Sequence, residues 1–151
     1  SEIPAIINDV WVDPTNGVNE GNIIGDINNP FLTIDYAISL LYPTEEDPVT
    51  IHLVTGTFSP LSNNETFPIN IPSNISLSGA GEGLTILDAG GSANNQNRVI
   101  TMENCVNNTI SNLTITGGYT SNYGGGIYLD NASPTLSQIT LEDNYAYWYG
   151  G

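Results

Sequence analysis

The feature that most constrains the fold is a recurrence near the end of the chain. Tyr123-Gly124-Gly125 returns as Tyr149-Gly150-Gly151, and Tyr123 and Tyr149 are 26 residues apart. Between them lie a short strand pattern, an Asn131-Ala132-Ser133-Pro134 turn, a second strand with alternating apolar residues and a polar Glu142-Asp143-Asn144 turn. That interval is about one coil of a β-solenoid, and recurrence at a fixed interval marks a stacked-repeat architecture. Two more pairs keep this step to within one residue. Val99-Ile100-Thr101-Met102 precedes Gly126-Ile127-Tyr128-Leu129 by 27 residues, and Leu113-Thr114-Ile115-Thr116 precedes Ile139-Thr140-Leu141-Glu142 by 26. A meander has no reason to repeat Asn-rich turns and Gly-Gly corners together. Parallel coiling lays each strand on its counterpart, so like residues stack. Inward Ile, Leu and Val then form ladders, and Asn side chains at turns hydrogen-bond along the axis.

Composition narrows the partners. The chain has one Arg, no Lys and sixteen carboxylates, for a net charge of −15. Nucleic acid is excluded as a partner, because phosphate binding needs clustered Lys and Arg. An anionic membrane surface repels such a chain, and no apolar run reaches membrane-spanning length, so no membrane insertion is expected. The acids are scattered apart from Glu45-Glu46-Asp47, which reads as a solvated acidic surface. Cys105 is alone, so no internal disulfide forms, and it is expected in a buried ladder as a small apolar residue. Ser1-Glu2-Ile3-Pro4-Ala5 shows no basic and apolar leader pattern, so an exported protein would be seen here in processed form. Asn-x-Ser/Thr triplets begin at Asn64, Asn74, Asn107, Asn112 and Asn131, compatible with an extracellular or cell-surface protein.

Along the chain, residues 1–48 read as an entry and capping segment and residues 49–151 as coils. Val10-Trp11-Val12-Asp13 is a short strand. In the polar loop that follows, the oxygens of Asp13, Asn16, Asn19, Glu20 and Asn22 are candidate ligands for Ca²⁺, a hard cation served by oxygen donors; the alternative is a plain Asx-rich turn. No other cofactor is expected. The spacing predicts one helix, about residues 33–42. Thr33 is its N-cap and Asp35 puts negative charge in the first turn. Ile34, Ala37, Ile38 and Leu41 form one apolar face suited to covering the end of a solenoid, and Pro43 follows. From Val49 the pattern is short strands and turns. Gly79-Ala80-Gly81-Glu82-Gly83 is a glycine corner, not a phosphate loop, since no helix pattern or Lys follows.

These stretches carry a resemblance. Val10-Trp11-Val12-Asp13-Pro14, Asn29-Pro30-Phe31-Leu32-Thr33-Ile34, Tyr36-Ala37-Ile38 and Gly56-Thr57-Phe58 resemble the entry segment of bacterial secreted β-helix proteins. Asn74-Ile75-Ser76-Leu77-Ser78-Gly79, Thr85-Ile86-Leu87-Asp88 and Ile115-Thr116-Gly117-Gly118 resemble their first coils. The chain thus looks like the N-terminal part of a pectate-lyase-like protein. Residues 124–144 are similar to the repeats of polymorphic outer-membrane-type adhesins. The fold this implies is all-β, a single-stranded right-handed parallel β-helix with an N-terminal capping strand and one short α-helix. It does not fix a function, since the fold hosts lyases, hydrolases, epimerases, adhesins and passive spacers.

Three classes of function bear on these residues. Lyases of this superfamily need a base, usually Arg or Lys, and cations to neutralise a substrate carboxylate; Arg98 is the one such base. Hydrolases need several carboxylates on one face, for which Asp88, Glu103, Asp130, Glu142 and Asp143 are candidates. His52 has no second His or Cys nearby in sequence for a metal site. Catalysis is not expected. Adhesion or glycan binding is suggested by the aromatic C-terminal third, with Tyr145, Tyr147, Trp148 and Tyr149 as an assembly or ligand surface; the alternative is that these rings stack between coils. Self-assembly is the third class. Without a recognisable cap, the last coil is expected to accept further coils of a longer parent chain or a copy of the same chain, head to tail, which propagates into a filament.

Overall fold

Alternation builds the walls of the molecule. The computed structural model describes residues 7–151, so the reading of residues 1–5 lies outside the described residues. In β1 (Asp9–Val12) Val10 and Val12 are buried while Asp9 and Trp11 face outward. The same inside-outside alternation runs through β2 (Val49–Leu53) and, after β3 (Gly56–Phe58) and β4 (Ile69–Asn70), through β5 (Ile75–Ser78) and β6 (Thr85–Asp88). The chain continues through β7 (Ile100–Cys105), β8 (Thr109–Thr116), β9 (Tyr119–Thr120), β10 (Ile127–Ala132), β11 (Thr135–Leu141) and β12 (Tyr145–Ala146). Each pairing between these strands is parallel. The result is a parallel β-solenoid of about four turns with, among the described residues, a single short helix.

The walls are columns of equivalent strands. One runs β1, β2, β5 and the first half of β8 and β11. A second runs β3, β6 and the second half of β8 and β11. The third is β4, β7 and β10, with the short β9–β12 pair between the second and third. One strand serves two walls because it bends at a single residue with positive φ, Asn112 (φ 59°) in β8 and Gln138 (φ 53°) in β11. In the coil before, that corner is the glycine stretch: Gly79 N–H donates to Ser111 O and Gly81 N–H to Asn112 O. The corner thus shortens from a loop to one residue as the coils proceed.

The expected registers are present. Ile127 pairs Ile100 and Leu129 pairs Met102, while Ile139 pairs Leu113 and Leu141 pairs Ile115. The Tyr-Gly-Gly recurrence is a stacked corner. Gly124 N–H donates to Tyr149 O at 3.0 Å, Gly125 N–H to Gly150 O at 2.9 Å, and the rings of Tyr123 and Tyr149 are stacked 6.1 Å apart. Gly124 has φ 64°, and a methyl group on Gly125 would run into the carbonyl oxygen of Tyr145. Asparagines bond along the axis, Asn107 Nδ2 to Asn74 Oδ1 at 3.0 Å and Asn131 Nδ2 to Asn104 Oδ1 at 2.9 Å. All four have positive φ, a conformation Asn tolerates better than most residues.

Ile51, Leu77 and Ile110 form one core column in register, each fully buried. Each such side chain contributes about 1.5–3 kcal/mol, an upper figure for a partly compact unfolded chain. Cys105 is buried opposite Ala132, a small apolar rung as expected, and burial pushes its thiol pKa up. The next rung after Ile110 is Leu136, in register but 42% exposed, because among the described residues β11 has no strand on its far edge. The other end is closed. Trp11 N–H donates to Gly25 O, Phe31 N–H to Trp11 O and Asp13 N–H to Phe31 O, which occupies the outer edge of β1. Helix α1 (Ile34–Leu40) adds to this cover, shorter than the expected 33–42 because Leu41 is already extended. Ile34 and Ala37 are buried, with Ile38 and Leu41 half-buried against the same core.

Candidate functional site

The entry loop divides its five candidate cation ligands among three tasks. Asp13 Oδ1 accepts from Thr15 N–H at 2.8 Å and Asn16 N–H at 3.0 Å, and its Oδ2 accepts from Asn16 Nδ2 at 3.2 Å. Burial works to raise the Asp13 pKa, but these bonds from Asn16 and Thr15 outweigh it and hold the carboxyl below its ordinary value. That is an Asx turn. Asn19 faces away from it, toward the helix. Its Oδ1 accepts from Leu32 and Thr33 N–H, and its Nδ2 donates to Thr33 Oγ1 at 2.8 Å. Glu20 and Asn22 are exposed. The structure therefore brings Asp13 and Asn16 together and commits Asn19 to the helix start. Among the described residues no group of three or more His, Cys, Asp or Glu side chains is disposed to hold a metal ion.

A residue that sequence reasoning missed organises the same end of the molecule. Glu65 is buried, 3% exposed. Its Oε1 accepts from Ile34 N–H at 2.7 Å, and its Oε2 from Asp35 N–H at 3.1 Å and Thr66 N–H at 3.3 Å. It thus takes up amides that the first turn of a helix leaves unpaired. Thr33 supplies the expected cap by accepting from Tyr36 N–H, and Asn63 Nδ2 donates to Leu32 O. Two loops, 13–33 and 59–66, are tied to α1 through these groups. Burial raises the Glu65 carboxyl to about 7, against the pull of its three N–H bonds and with a further push from Asp35. The only prior signal was an acidic residue in a polar loop, 31 positions beyond its partner.

The candidate catalytic groups are dispersed. Arg98 lies over the ring of Tyr128, 4.4 Å from its centroid, and its Nε donates to Tyr123 O at 2.9 Å. Asp88 Oδ1 accepts from Gly90 N–H. Glu103 and Asp130 are neighbours in register on β7 and β10, both exposed. They sit side by side on one outer face, whereas glycosidase carboxylates flank the scissile bond. Glu142 and Asp143 are exposed at the turn after β11. His52 is stacked on Trp11 at 4.6 Å and paired through Nε2 with Asp9 at 2.7 Å on the outer face of the first wall.

The C-terminal aromatics do two things. Tyr145 stacks on Tyr119 at 4.5 Å, and Tyr149 on Tyr123, so these rings are inter-coil rungs. Tyr147 and Trp148 meet edge to face at 5.2 Å, and both remain exposed. Beside them the face of the last coil presents Leu129, Leu136 and Leu141, all exposed.

A family model described as a protein of unknown function, DUF1565, matches residues 15–147, from the entry loop into the last coil. No curated protein matches the chain.

Proposed function

The chain belongs to the DUF1565 family, and from that premise we propose that it is a non-catalytic extracellular β-helix module, structural or adhesive, of pectate-lyase-like ancestry. The observation that carries this reading is the asymmetry of the stack. The outer edge of β1 is occupied by residues 25–31, and α1 covers the core beside it. At the other end, Leu136 continues a column whose earlier members are fully buried. The last coil therefore presents the surface on which another coil lays itself, whether a further coil of the same polypeptide or a second copy. For a second copy joined head to tail, the incoming end offers the exposed Ile24 and Ile27 rather than a free strand edge. Arg98, committed to Tyr128 and Tyr123, supports a role without chemistry.

The competing reading is a polysaccharide-degrading fragment, and the Glu103–Asp130 pair is what favours it. The test is incubation of the purified chain with polygalacturonate and with neutral glucans and xylans, with and without Ca²⁺. Unchanged substrate length and no unsaturated product are expected. Shortened chains that disappear in Glu103→Gln or Asp130→Asn would replace the proposal with the enzyme reading. Of the five candidate Ca²⁺ ligands the fold keeps Asp13 and Asn16 together, and calorimetric titration of the chain and of Asp13→Asn with Ca²⁺ reads binding there directly.

A further inference from the structure

Three successive coils put the same kind of tripeptide on the first wall. Ser76-Leu77-Ser78, Thr109-Ile110-Ser111 and Thr135-Leu136-Ser137 lie on β5, β8 and β11. Leu77, Ile110 and Leu136 are rungs of the core column, so the hydroxyls on either side of them face outward. In register, Thr109 meets Thr135, and Ser78 meets Ser111, which meets Ser137. Thr50 of β2 pairs Ser76 and extends the first column, while His52 pairs Ser78 and ends the second. The result is a grid two hydroxyls wide, with steps of about 4.8 Å from coil to coil and about 6.7 Å along each strand. The Asn107–Asn74 bond at the adjoining corner fixes the step between two of the coils. Ser76 Oγ accepts from Thr109 N–H at 2.9 Å.

Charge and shape select the ligand. The chain carries sixteen carboxylates and a net charge of −15, yet no Asp, Glu or Arg stands on the grid; the Asp9–His52 pair lies at its end. Neither a cation nor a polyanion is therefore its match. The grid is open sheet, not a cavity, and it repeats in two directions. It complements a surface that has a two-dimensional repeat of its own, not a single small molecule. Hydroxyls at these steps hold first-shell water in a matching array, and both steps are near the oxygen repeats of the ice lattice. Capture of a crystalline glycan surface would call for flat aromatic plates. Here Trp11 is stacked on His52 at the end of the grid, and the grid positions themselves carry no ring. We propose that this outer face of the first wall binds ice. It is separate from the face of the last coil and involves no chemistry.

The experiment measures recrystallisation inhibition, the shaping of single ice crystals and uptake of the purified chain into slowly growing ice. The same assays are run on Ser111→Tyr and on a triple variant, Ser78→Thr, Ser111→Thr and Ser137→Thr. Tyrosine suits a strand, so Ser111→Tyr keeps the fold, which its circular dichroism and urea midpoint check. Its ring stands above the grid and is expected to abolish uptake into ice. Should that variant fail to fold, Thr135→Tyr, at an exposed position on β11, takes its place. The methyl groups added in the triple variant restrict the hydroxyl rotamers and are expected to raise recrystallisation inhibition severalfold. Three outcomes would overturn the proposal. The parent chain and the triple variant could both leave ice growth unaltered. A folded tyrosine variant could enter ice as the parent does. Microcrystalline cellulose or chitin could capture the parent, and not Ser111→Tyr, while ice takes up neither; the face would then belong to a glycan surface.

Discussion

At the scale of single residues, the two most informative groups are buried and polar, and they differ in whether they are satisfied. Glu65 is paired with three amides yet has no cation beside it among the described residues, and its carboxyl titrates near 7. The reference value is 4.5, so the folded state holds this proton more tightly than the unfolded chain. The resulting stabilisation is complete below about pH 4.5 and is lost as pH rises through about 7. Across that window the native chain is expected to lose up to about 3 kcal/mol more than Glu65→Gln, which has no such titration. Urea unfolding of both at pH 4.5 and 8 measures the difference, and a native chain that gains on the variant with rising pH contradicts it. Thr101 is the opposite case. With no partner for its hydroxyl among the described residues, Thr101→Val is expected to raise the stability of the chain by about 1 kcal/mol. A loss of stability in that variant would show that the hydroxyl serves the fold.

At the scale of elements, coils are joined by backbone ladders and by side chains bonded along the axis. Asn107 does two jobs, holding φ 62° and donating to Asn74. Asn107→Gly removes the bond and keeps the backbone relaxed, at an expected cost of about 1 kcal/mol. Asn107→Ala removes the bond and strains the turn, at about 2–3 kcal/mol. Urea midpoints decide the order, and an alanine variant as stable as the glycine variant would remove the backbone argument. This coupling of turn and ladder is also why so much of the fold was legible in sequence. Parallel stacking sets like on like, so the 26- and 27-residue steps survive as Ile127 over Ile100 and Ile139 over Leu113. Where loops differ, the step is lost: Leu77 pairs Ile110 across 33 residues, too irregular a spacing to read from periodicity. The helix was legible because its cap and apolar face lie within one turn of each other. Glu65 was not, since its partners lie 30 and 31 residues away and no local pattern marks them. The candidate Ca²⁺ loop shows the converse. Five oxygen-bearing residues within ten positions look alike in sequence, and only the fold assigns Asn19 to Thr33 and Asp13 to its own turn.

At the scale of the whole molecule, the account rests on a stack that is closed at one end and templated at the other. The closed end is built from hydrogen bonds between residues 25–31 and β1 and from the α1 cover over Ile34 and Ala37. The templated end carries Leu136 and Leu141 on β11, inward positions that an added coil would bury. A charge placed there blocks the addition of another strand, as inward-pointing charges do on natural edge strands. It costs the isolated chain little, since both positions are already half exposed. With a net charge of −15, copies repel one another at low ionic strength, and contact between them is expected to strengthen with salt as that repulsion is screened. The most direct measurement is sedimentation of the purified chain over a range of concentration and salt, beside Leu136→Asp and Leu141→Asp. Concentration-dependent association of the parent chain, stronger at high salt and absent in both variants, is the expected result; a parent chain that stays monomeric throughout, or variants that associate as it does, would contradict the account.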